Sequence, residues 1–350
     1  MKVTITEYLN VRVGAPSLNA PCYQYLAPGS EIEVDENLYK GDPFEGKDTW
    51  MKDEAGNYYW SGGVEKNGLK TNLLKNIKER WWLSDYNISA LWEKGLTGEG
   101  IKIAVLDTGI SYPHADLKLD PALFYDASDS RGNMNDKFGH GTHCAGIIKS
   151  SLNEFGSSGI AYNSILYVCK VTSDDFGDKP RFLSAGINWA VSQGVDIISI
   201  SKGDPFSDKG LEGAIVNASN KGALVICAAG NKVQGYADDH IYYPARYAQS
   251  FSVGGVQKDG SPLFDSILTN ETHLFAPGKD ILSTYKNNDY ITLSGSSQAV
   301  PFVAGVAALL LEHKRKTDPA FKAIDLKQSL IDSADVRNFG RVINPLNLFK

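Results

Sequence analysis

From residue 81 onward, short apolar runs alternate with segments of helical periodicity. The runs with strand character span 101–106, 165–171, 196–201, 224–228 and 251–256, and the helical patterns span 142–151, 182–193, 208–221 and 298–314. Strands that are apolar on both faces are typical of a parallel sheet covered by helices on both sides. The pattern therefore predicts an α/β domain whose chemistry gathers at the carboxyl ends of the strands.

Residues 1–68 have a different character, rich in Gly, Pro, Tyr and Asn and without a helical period. Short alternating stretches such as 32–34 and 58–60 are separated by turn signals about every ten residues. This pattern predicts a small all-β barrel. We predict three parts of the chain: a barrel over 1–68, a linker over 69–80 and the α/β domain over 81–350.

The composition limits the classes of binding partner that we expect. A net charge of −6 and a sequence pI near 5.6 give no reason to expect nucleic acid or an anionic membrane surface. No apolar run approaches the roughly 20 residues of a membrane helix, and the N-terminus has no signal-peptide pattern. The four cysteines lack metal-ligand spacing, and three lie in apolar runs, so we expect free buried thiols and a cytoplasmic location.

Four polar residues follow predicted strands or begin predicted helices. Asp107 ends the first strand, Asn231 follows the strand 224–228, and His140 and Ser297 each stand where a helical pattern begins. A serine hydroxyl needs an adjacent base to become a nucleophile, and a carboxylate orients that base. A serine at a helix N-terminus also presents its own N–H to a developing oxyanion, and a carboxamide can supply a second donor.

The motifs around these residues resemble the subtilisin family of serine peptidases, and the resemblance runs from about residue 76 to residue 350. They are Ala-Val-Leu-Asp-Thr-Gly at 104–109, Gly-His-Gly-Thr-His at 139–143, Ala-Ala-Gly-Asn at 228–231 and Gly-Ser-Ser at 295–297. The order Asp, His, Ser along the chain is that of subtilisin. The resemblance implies a serine endopeptidase that cleaves proteins or peptides through an acyl-enzyme. Its nucleophile, general base, orienting carboxylate and oxyanion donor would be Ser297, His140, Asp107 and Asn231.

The resemblance also implies a substrate cleft and a calcium site. The cleft walls and the base of the first specificity pocket would be formed by Ser201, Lys202, Gly203, Ala228, Ala229, Gly230 and Tyr242. Because many family members have glycine at the position of Tyr242, a tyrosine there would restrict the P1 side chain to small residues. A structural Ca²⁺ would be bound by the loop residues Asp116, Ser151, Asn153, Phe155 and Ser157, since calcium takes six to eight oxygen ligands.

The N-terminal segment resembles a bacterial SH3-like domain, a family that usually binds peptide or cell-wall ligands. Its aromatic residues Tyr58, Tyr59 and Trp60 could equally be the core of so small a barrel. The alternative function is therefore a degenerate peptidase fold that binds through the SH3-like domain. A lipase is disfavoured because Gly-x-Ser-x-Gly is absent around Ser297. The alternative location is secretion, with signal and propeptide removed.

Overall fold

The computed structural model describes residues 2–5, 9–35, 37–44, 47–65, 80–153, 155–175, 177–232 and 240–349. Contacts divide the chain into two compact units, Met1–Asn76 with Asn153–Gly156, and Ile77–Leu152 with Ser157–Lys350. Of the predicted linker, residues 69–79 lie outside the described residues.

The smaller unit is built from antiparallel strands. They are β1 (Lys2–Ile5), β2 (Leu9–Val13), β3 (Cys22–Leu26), β4 (Glu31–Glu33), β5 (Tyr39–Phe44), β6 (Lys47–Lys52), β7 (Asn57–Trp60) and β8 (Val64–Glu65). They form a three-stranded sheet in the order β4-β1-β8 and a five-stranded sheet in the order β3-β2-β7-β6-β5. Trp50, Tyr59 and Trp60 lie in the core of this unit, so two of the three aromatic residues at 58–60 have a packing role. An SH3-like barrel remains a prediction.

The larger unit contains eleven of the described strands and seven of the described α-helices. The strands are β9 (Lys102–Asp107), β10 (Phe124–Asp126), β11 (Ile165–Lys170), β12 (Ile197–Ile200), β13 (Leu224–Ala228), β14 (Phe251–Val256), β15 (Leu274–Pro277), β16 (Ile281–Tyr285), β17 (Asp289–Leu293), β18 (Asp335–Arg337) and β19 (Gly340–Val342). The helices are α1 (Trp81–Ser84), α2 (Ile88–Glu93), α3 (His140–Lys149), α4 (Pro180–Ser192), α5 (Lys209–Asn220), α6 (Ser296–Arg315) and α7 (Leu326–Asp332).

Nine strands of the larger unit form one sheet in the order β10-β11-β9-β12-β13-β14-β15-β19-β18. Every neighbouring pair is parallel except β18 with β19. This confirms the predicted α/β fold with a mostly parallel sheet. The five predicted strands are all present, and β9, β12 and β13 are buried at nearly every position, as strands covered on both faces must be.

The strand order reverses beside β9. Strand β11 pairs with one edge of β9 and β12 with the other, so the connections leave this point in opposite directions. Such a switch point opens a crevice at the carboxyl ends of the strands. Asp107 ends β9 and Ser201 directly follows β12, which brings both residues to this crevice.

Helix α6 is the centre of the larger unit. Sixteen of its twenty residues are buried, so it is apolar on all sides, unlike a surface helix with a single apolar stripe. Its first residue follows Gly295, whose φ of 154° lies in a region that side chains with a Cβ rarely adopt. No α-helix in the described parts of the chain is long and apolar enough to cross a membrane.

Candidate active site

Asp107 and His140 form a buried hydrogen bond. His140 Nδ1 lies 2.8 Å from Asp107 Oδ1, and Asp107 is only 1% exposed. An ionised carboxylate can only accept, so Nδ1 is the donor and carries the proton. The second ring nitrogen, Nε2, is thereby left to accept a proton from another group, which is the tautomer that a general base needs.

A close approach between β9 and α3 makes this bond possible. A Cβ on Gly141 would lie 2.4 Å from the Gly109 carbonyl oxygen and 3.2 Å from Asp107 Cβ, so only glycine fits. Thr108 Oγ1 accepts from the Gly141 N–H at 2.8 Å and donates to Asp136 Oδ1 at 2.7 Å. Thus hydrogen bonds through Thr108 Oγ1 join the strand end to the helix start.

The two partners shift each other's pKa. Burial alone would raise the pKa of Asp107, but the charge and the hydrogen bond of His140 hold it below its usual range. Burial likewise opposes protonation of His140, yet the neighbouring carboxylate raises the pKa of His140 well above its ordinary value. The imidazolium that a general base forms during reaction is therefore stabilised in this site.

His143, one turn further along α3, has a structural position. It is fully buried, and its Nε2 lies 3.0 Å from the Ile281 carbonyl oxygen and 3.1 Å from that of Ile291. Burial, together with the charge of His140, lowers the pKa of His143 to about 4. This ring is neutral at pH 7 and bonds α3 to the hairpin of β16 and β17.

Cys144 lies under the Asp–His pair. Its Sγ is 3.9 Å from His140 Nδ1 and 3.6 Å from the carbonyl oxygen of Ser297. Burial raises the pKa of this thiol, so the sulfur is an uncharged packing group. Asp107, His140 and Cys144 are also the only cluster of three or more metal-ligating side chains among the described residues. The buried, uncharged thiol predicted from the sequence is confirmed, and it contacts both the histidine and the backbone of the serine.

Ser297 is the second residue of α6 and is half-buried. Its hydroxyl donates to the Ser201 carbonyl oxygen at 3.2 Å, and its own carbonyl accepts from Ser201 Oγ at 2.7 Å. The N–H groups at the start of a helix have no partner within it and carry a partial positive charge. The serine thus stands at the crevice with its hydroxyl and its backbone N–H beside the end of β12.

Asn231 reaches the same helix start from the opposite side. Its Oδ1 accepts from the N–H of Ser296 at 3.1 Å and from Ser296 Oγ at 2.6 Å. Its Nδ2 donates to Asp265 Oδ2 at 2.7 Å. Ser296, the first residue of α6, is therefore bonded to Asn231 through both its backbone and its side chain.

The predicted walls of the specificity pocket lie on either side of Tyr242. A Cβ on Gly203 would lie 3.0 Å from Tyr242 Cβ, and one on Gly230 would lie 2.7 Å from Tyr242 Cδ2. The Tyr242 N–H donates to the Ala229 carbonyl at 2.9 Å. Ala228 is buried at the end of β13. The tyrosine is 91% buried, so its ring fills space that two glycines leave between the walls.

Lys202, the remaining residue predicted for the cleft, is paired with a carboxylate. Its Nζ donates to Asp178 Oδ2 at 2.9 Å, and both residues line a cavity of about 100 Å³ whose other walls include Leu183, Leu211 and Tyr243. The charge of Lys202 is thus compensated locally.

The five residues predicted to bind calcium fall in both units. In the larger one, the backbone carbonyl of Asp116 accepts from the Ser151 N–H and its Oδ2 accepts from the Ser157 N–H. In the smaller one, Asn153 Oδ1 accepts from the Phe155 N–H. Among the described residues of the larger unit, Asp116 is the one carboxylate of this predicted set. One carboxylate is too few for calcium, which takes six to eight oxygen ligands. Calcium binding stays a prediction of the sequence resemblance.

Sequence reasoning missed two carboxylates that hold the site together. Asp136 is 1% exposed and accepts from the side chains of Thr108 and Thr142 and from backbone N–H groups at the start of α3. Asp265 accepts from Asn231. Neither stands in a motif or next to a predicted catalytic residue. Their partners are identified only by the fold.

Three comparisons with known proteins agree with one another. The profile of the subtilase family matches residues 98–345. An alkaline protease of Alkalihalobacillus alcalophilus is 34% identical over 77% of this chain and 68% of its own length. The major intracellular serine protease of Bacillus subtilis (strain 168) is 38% identical over 65% of this chain and 73% of its own length. The solved structure of the prenylagaramide maturation protease PagA has a TM-score of 0.63 and 29% identity, and the match covers 75% of this chain and 96% of that one.

The Asp–His pair generates a prediction about titration. Replacing Asp107 by Asn removes the carboxylate that stabilises the imidazolium, so we expect the pKa of His140 to fall. The measurement is an NMR titration of the histidine ring signals in the wild type and in Asp107→Asn. His143 is the internal control, because its ring stays neutral above pH 5 in both proteins. The same His140 midpoint in both proteins would contradict the account.

Proposed function

Because the chain belongs to the subtilase family and is a serine hydrolase of the subtilisin type, we propose that Ser297 is its nucleophile, His140 its general base and Asp107 the carboxylate that orients the base. The observation that carries this assignment is the 2.8 Å bond between His140 Nδ1 and Asp107 Oδ1. It fixes the tautomer in which Nε2 accepts a proton.

The reaction we propose is the hydrolysis of peptide bonds in proteins or peptides through an acyl-enzyme. The Ser297 hydroxyl turns from the Ser201 carbonyl toward His140 Nε2, gives up its proton and attacks the substrate carbonyl. The resulting oxyanion accepts from the Ser297 N–H and from Asn231 Nδ2. His140 then passes the proton to the leaving amine, and water enters by the reverse route to release the acid.

Substrate would bind as an extended strand along Ser201, Lys202 and Gly203, the segment that follows β12, since an extended peptide can add to a protein through backbone hydrogen bonds. The contacts of Tyr242 with Gly203 and Gly230 support a narrow first pocket, because a ring between the walls leaves little space for a P1 side chain. We therefore assign a preference for small P1 residues.

The groups present in the site disfavour the alternative of a degenerate peptidase fold that binds through the SH3-like domain. All four groups needed for acyl transfer are present, and the Asp–His bond is formed. A peptide or cell-wall ligand of the N-terminal SH3-like segment stays a prediction of the sequence, separate from the peptidase activity.

Alanine substitutions at the oxyanion donor and the nucleophile test the assignment. Removal of the corresponding donor in subtilisin lowers kcat by about 10²–10³-fold, and we expect the same scale for Asn231→Ala. For Ser297→Ala we expect about 10⁶-fold, again the scale known for subtilisin. Steady-state kinetics on a peptide p-nitroanilide measure both, with circular dichroism as the control for folding. Retention of most of kcat in either variant would contradict the assignment.

The pocket generates a separate prediction. In Tyr242→Gly, the loss of the ring opens the space between Gly203 and Gly230, so kcat/KM for a substrate with Phe at P1 rises about 10-fold or more. A matched substrate with Ala at P1 is the control and changes far less. A wild-type enzyme that already prefers P1 Phe or Leu over Ala would refute the restriction.

Calcium is tested by thermal unfolding. A structural ion that binds only the folded chain raises the melting temperature in calcium relative to EGTA. We expect Asp116→Asn to abolish that difference, whereas Asp120→Asn, at an exposed position on the same segment, retains it. Identical melting temperatures of the wild type in calcium and in EGTA would remove calcium from the account.

A further inference from the structure

The carboxamide of Asn231 is anchored at both ends. Ser296 donates to its Oδ1 twice, through the backbone N–H and through Oγ. Asp265 Oδ2 accepts from its Nδ2 at 2.7 Å. If the amide were flipped, Nδ2 would face the Ser296 N–H, so that two donors met. Oδ1 would then face the carboxylate of Asp265, so that two acceptors met. The orientation of Asn231 is therefore determined by its partners.

The anchored amide has a second hydrogen that Asp265 does not take. Nδ2 carries two hydrogens about 120° apart in the amide plane, so a bond to Asp265 directs the second one away from that carboxylate. A Cβ on Gly295 would lie 3.7 Å from Asn231 Nδ2, 3.7 Å from the Ser297 nitrogen and 3.2 Å from the side-chain oxygen of Gln298. Two N–H-bearing atoms therefore lie at equal distances from one point beside Gly295, and a substrate oxygen that takes this place displaces the Gln298 side chain.

Backbone bonds fix Asp265 independently of its side chain. Its carbonyl oxygen accepts from the Lys232 N–H at 2.6 Å. The next residue, Ser266, forms an antiparallel bridge with Asn231, and its Oγ donates to the Gly255 carbonyl at 3.2 Å. A substitution at position 265 can therefore remove the carboxylate while these backbone bonds remain.

We propose that Asp265 is a positioning residue for the oxyanion donor: its carboxylate holds Asn231 Nδ2 so that the free N–H faces the reacting carbonyl together with the Ser297 N–H. This rests on the proposed role of Asn231. Preorganised donors stabilise an oxyanion because they need no reorientation as the charge develops. Without Asp265 the amide is anchored at Oδ1 alone and can tilt about that contact.

The carboxylate has an opposing effect as well. A negative charge near a developing oxyanion disfavours it, although Asp265 is partly exposed and solvent screens the repulsion. Asp265→Asn separates the two effects, because the amide oxygen of asparagine still accepts from Asn231 while the charge is gone. Under the proposal, orientation outweighs repulsion.

The experiment compares the wild type, Asp265→Ala, Asp265→Asn, Asn231→Ala and the double variant with Ala at both positions. Each is assayed on a peptide p-nitroanilide with Ala at P1, and kcat is expressed per active site titrated with a fluorophosphonate, so that unfolded enzyme does not count. We expect Asp265→Ala to lower kcat about 10-fold, a part of the 10²–10³-fold cost of losing the donor, with KM nearly unchanged. Asp265→Asn restores most of kcat.

The matched control is Asp259→Ala, which removes a carboxylate from the same connection between β14 and β15. The Asp259 carboxylate bonds to Ser261, so its loss leaves kcat unchanged. If Asp259→Ala lowered kcat as much as Asp265→Ala does, the cause would be a general loss of order in this connection. That result would overturn the proposal.

The double variant decides whether Asp265 acts through Asn231. We expect the second substitution to add nothing once Asn231 is alanine. Three results would overturn the proposal while Asn231→Ala still loses activity. The first is that Asp265→Ala lowers kcat equally with and without Asn231. The others are an unchanged kcat in Asp265→Ala and a higher kcat in both Asp265 variants. A fully active Asn231→Ala would instead refute the oxyanion role of Asn231, and the inference with it.

Discussion

The buried hydrogen bond between Asp107 and His140 is the interaction on which the rest of the site depends. It joins the end of β9 to the first residue of α3, and it needs Gly141 because any larger residue would separate the two elements. The bond stabilises the charged form of each partner. The carboxylate of Asp107 stays ionised although it is buried, and the imidazolium form of His140 is stabilised. The neighbouring carboxylate therefore decides the pH at which His140 is able to accept a proton.

Chain segments that are distant in sequence come together in the site because most of the sheet is parallel. The parallel strands end at one edge, so Asp107 at the end of β9 and Ser201 and Asn231 after β12 and β13 lie along the same edge. The N-terminus of α6 adds Ser297 to the crevice. A central helix buried on nearly every side holds this serine rigidly, as a preorganised site requires.

The sequence predicted the features that depend on local pattern. Apolar runs identified the five parallel strands β9, β11, β12, β13 and β14, and short motifs led to the proposed roles of Asp107, His140, Ser297 and Asn231. The strands β10, β18 and β19 were not predicted, because three residues carry no period that distinguishes them from loop. The strands β15, β16 and β17 were missed as well. Tyr242 was assigned to the first pocket because many members of the resembled family have glycine at its position. Its ring contacts Gly203 and Gly230, and the restriction of P1 stays a prediction.

Contacts across long stretches of chain could not be predicted. Asp136 bonds to Thr108 28 residues earlier, and Asp265 bonds to Asn231 34 residues earlier. An isolated aspartate in a loop is most often a turn or cap residue, so nothing in the sequence separates these two from the other acidic residues. They determine how the catalytic groups are held, and only the fold identifies them.

The most direct test of the account is to map the adduct of a fluorophosphonate on the intact chain by peptide mass spectrometry. A serine activated by the Asp107–His140 pair reacts with this reagent far faster than any other hydroxyl. The account predicts one adduct, on Ser297, and none in Ser297→Ala. An adduct on a different serine, or no adduct on the folded wild-type protein, would contradict it.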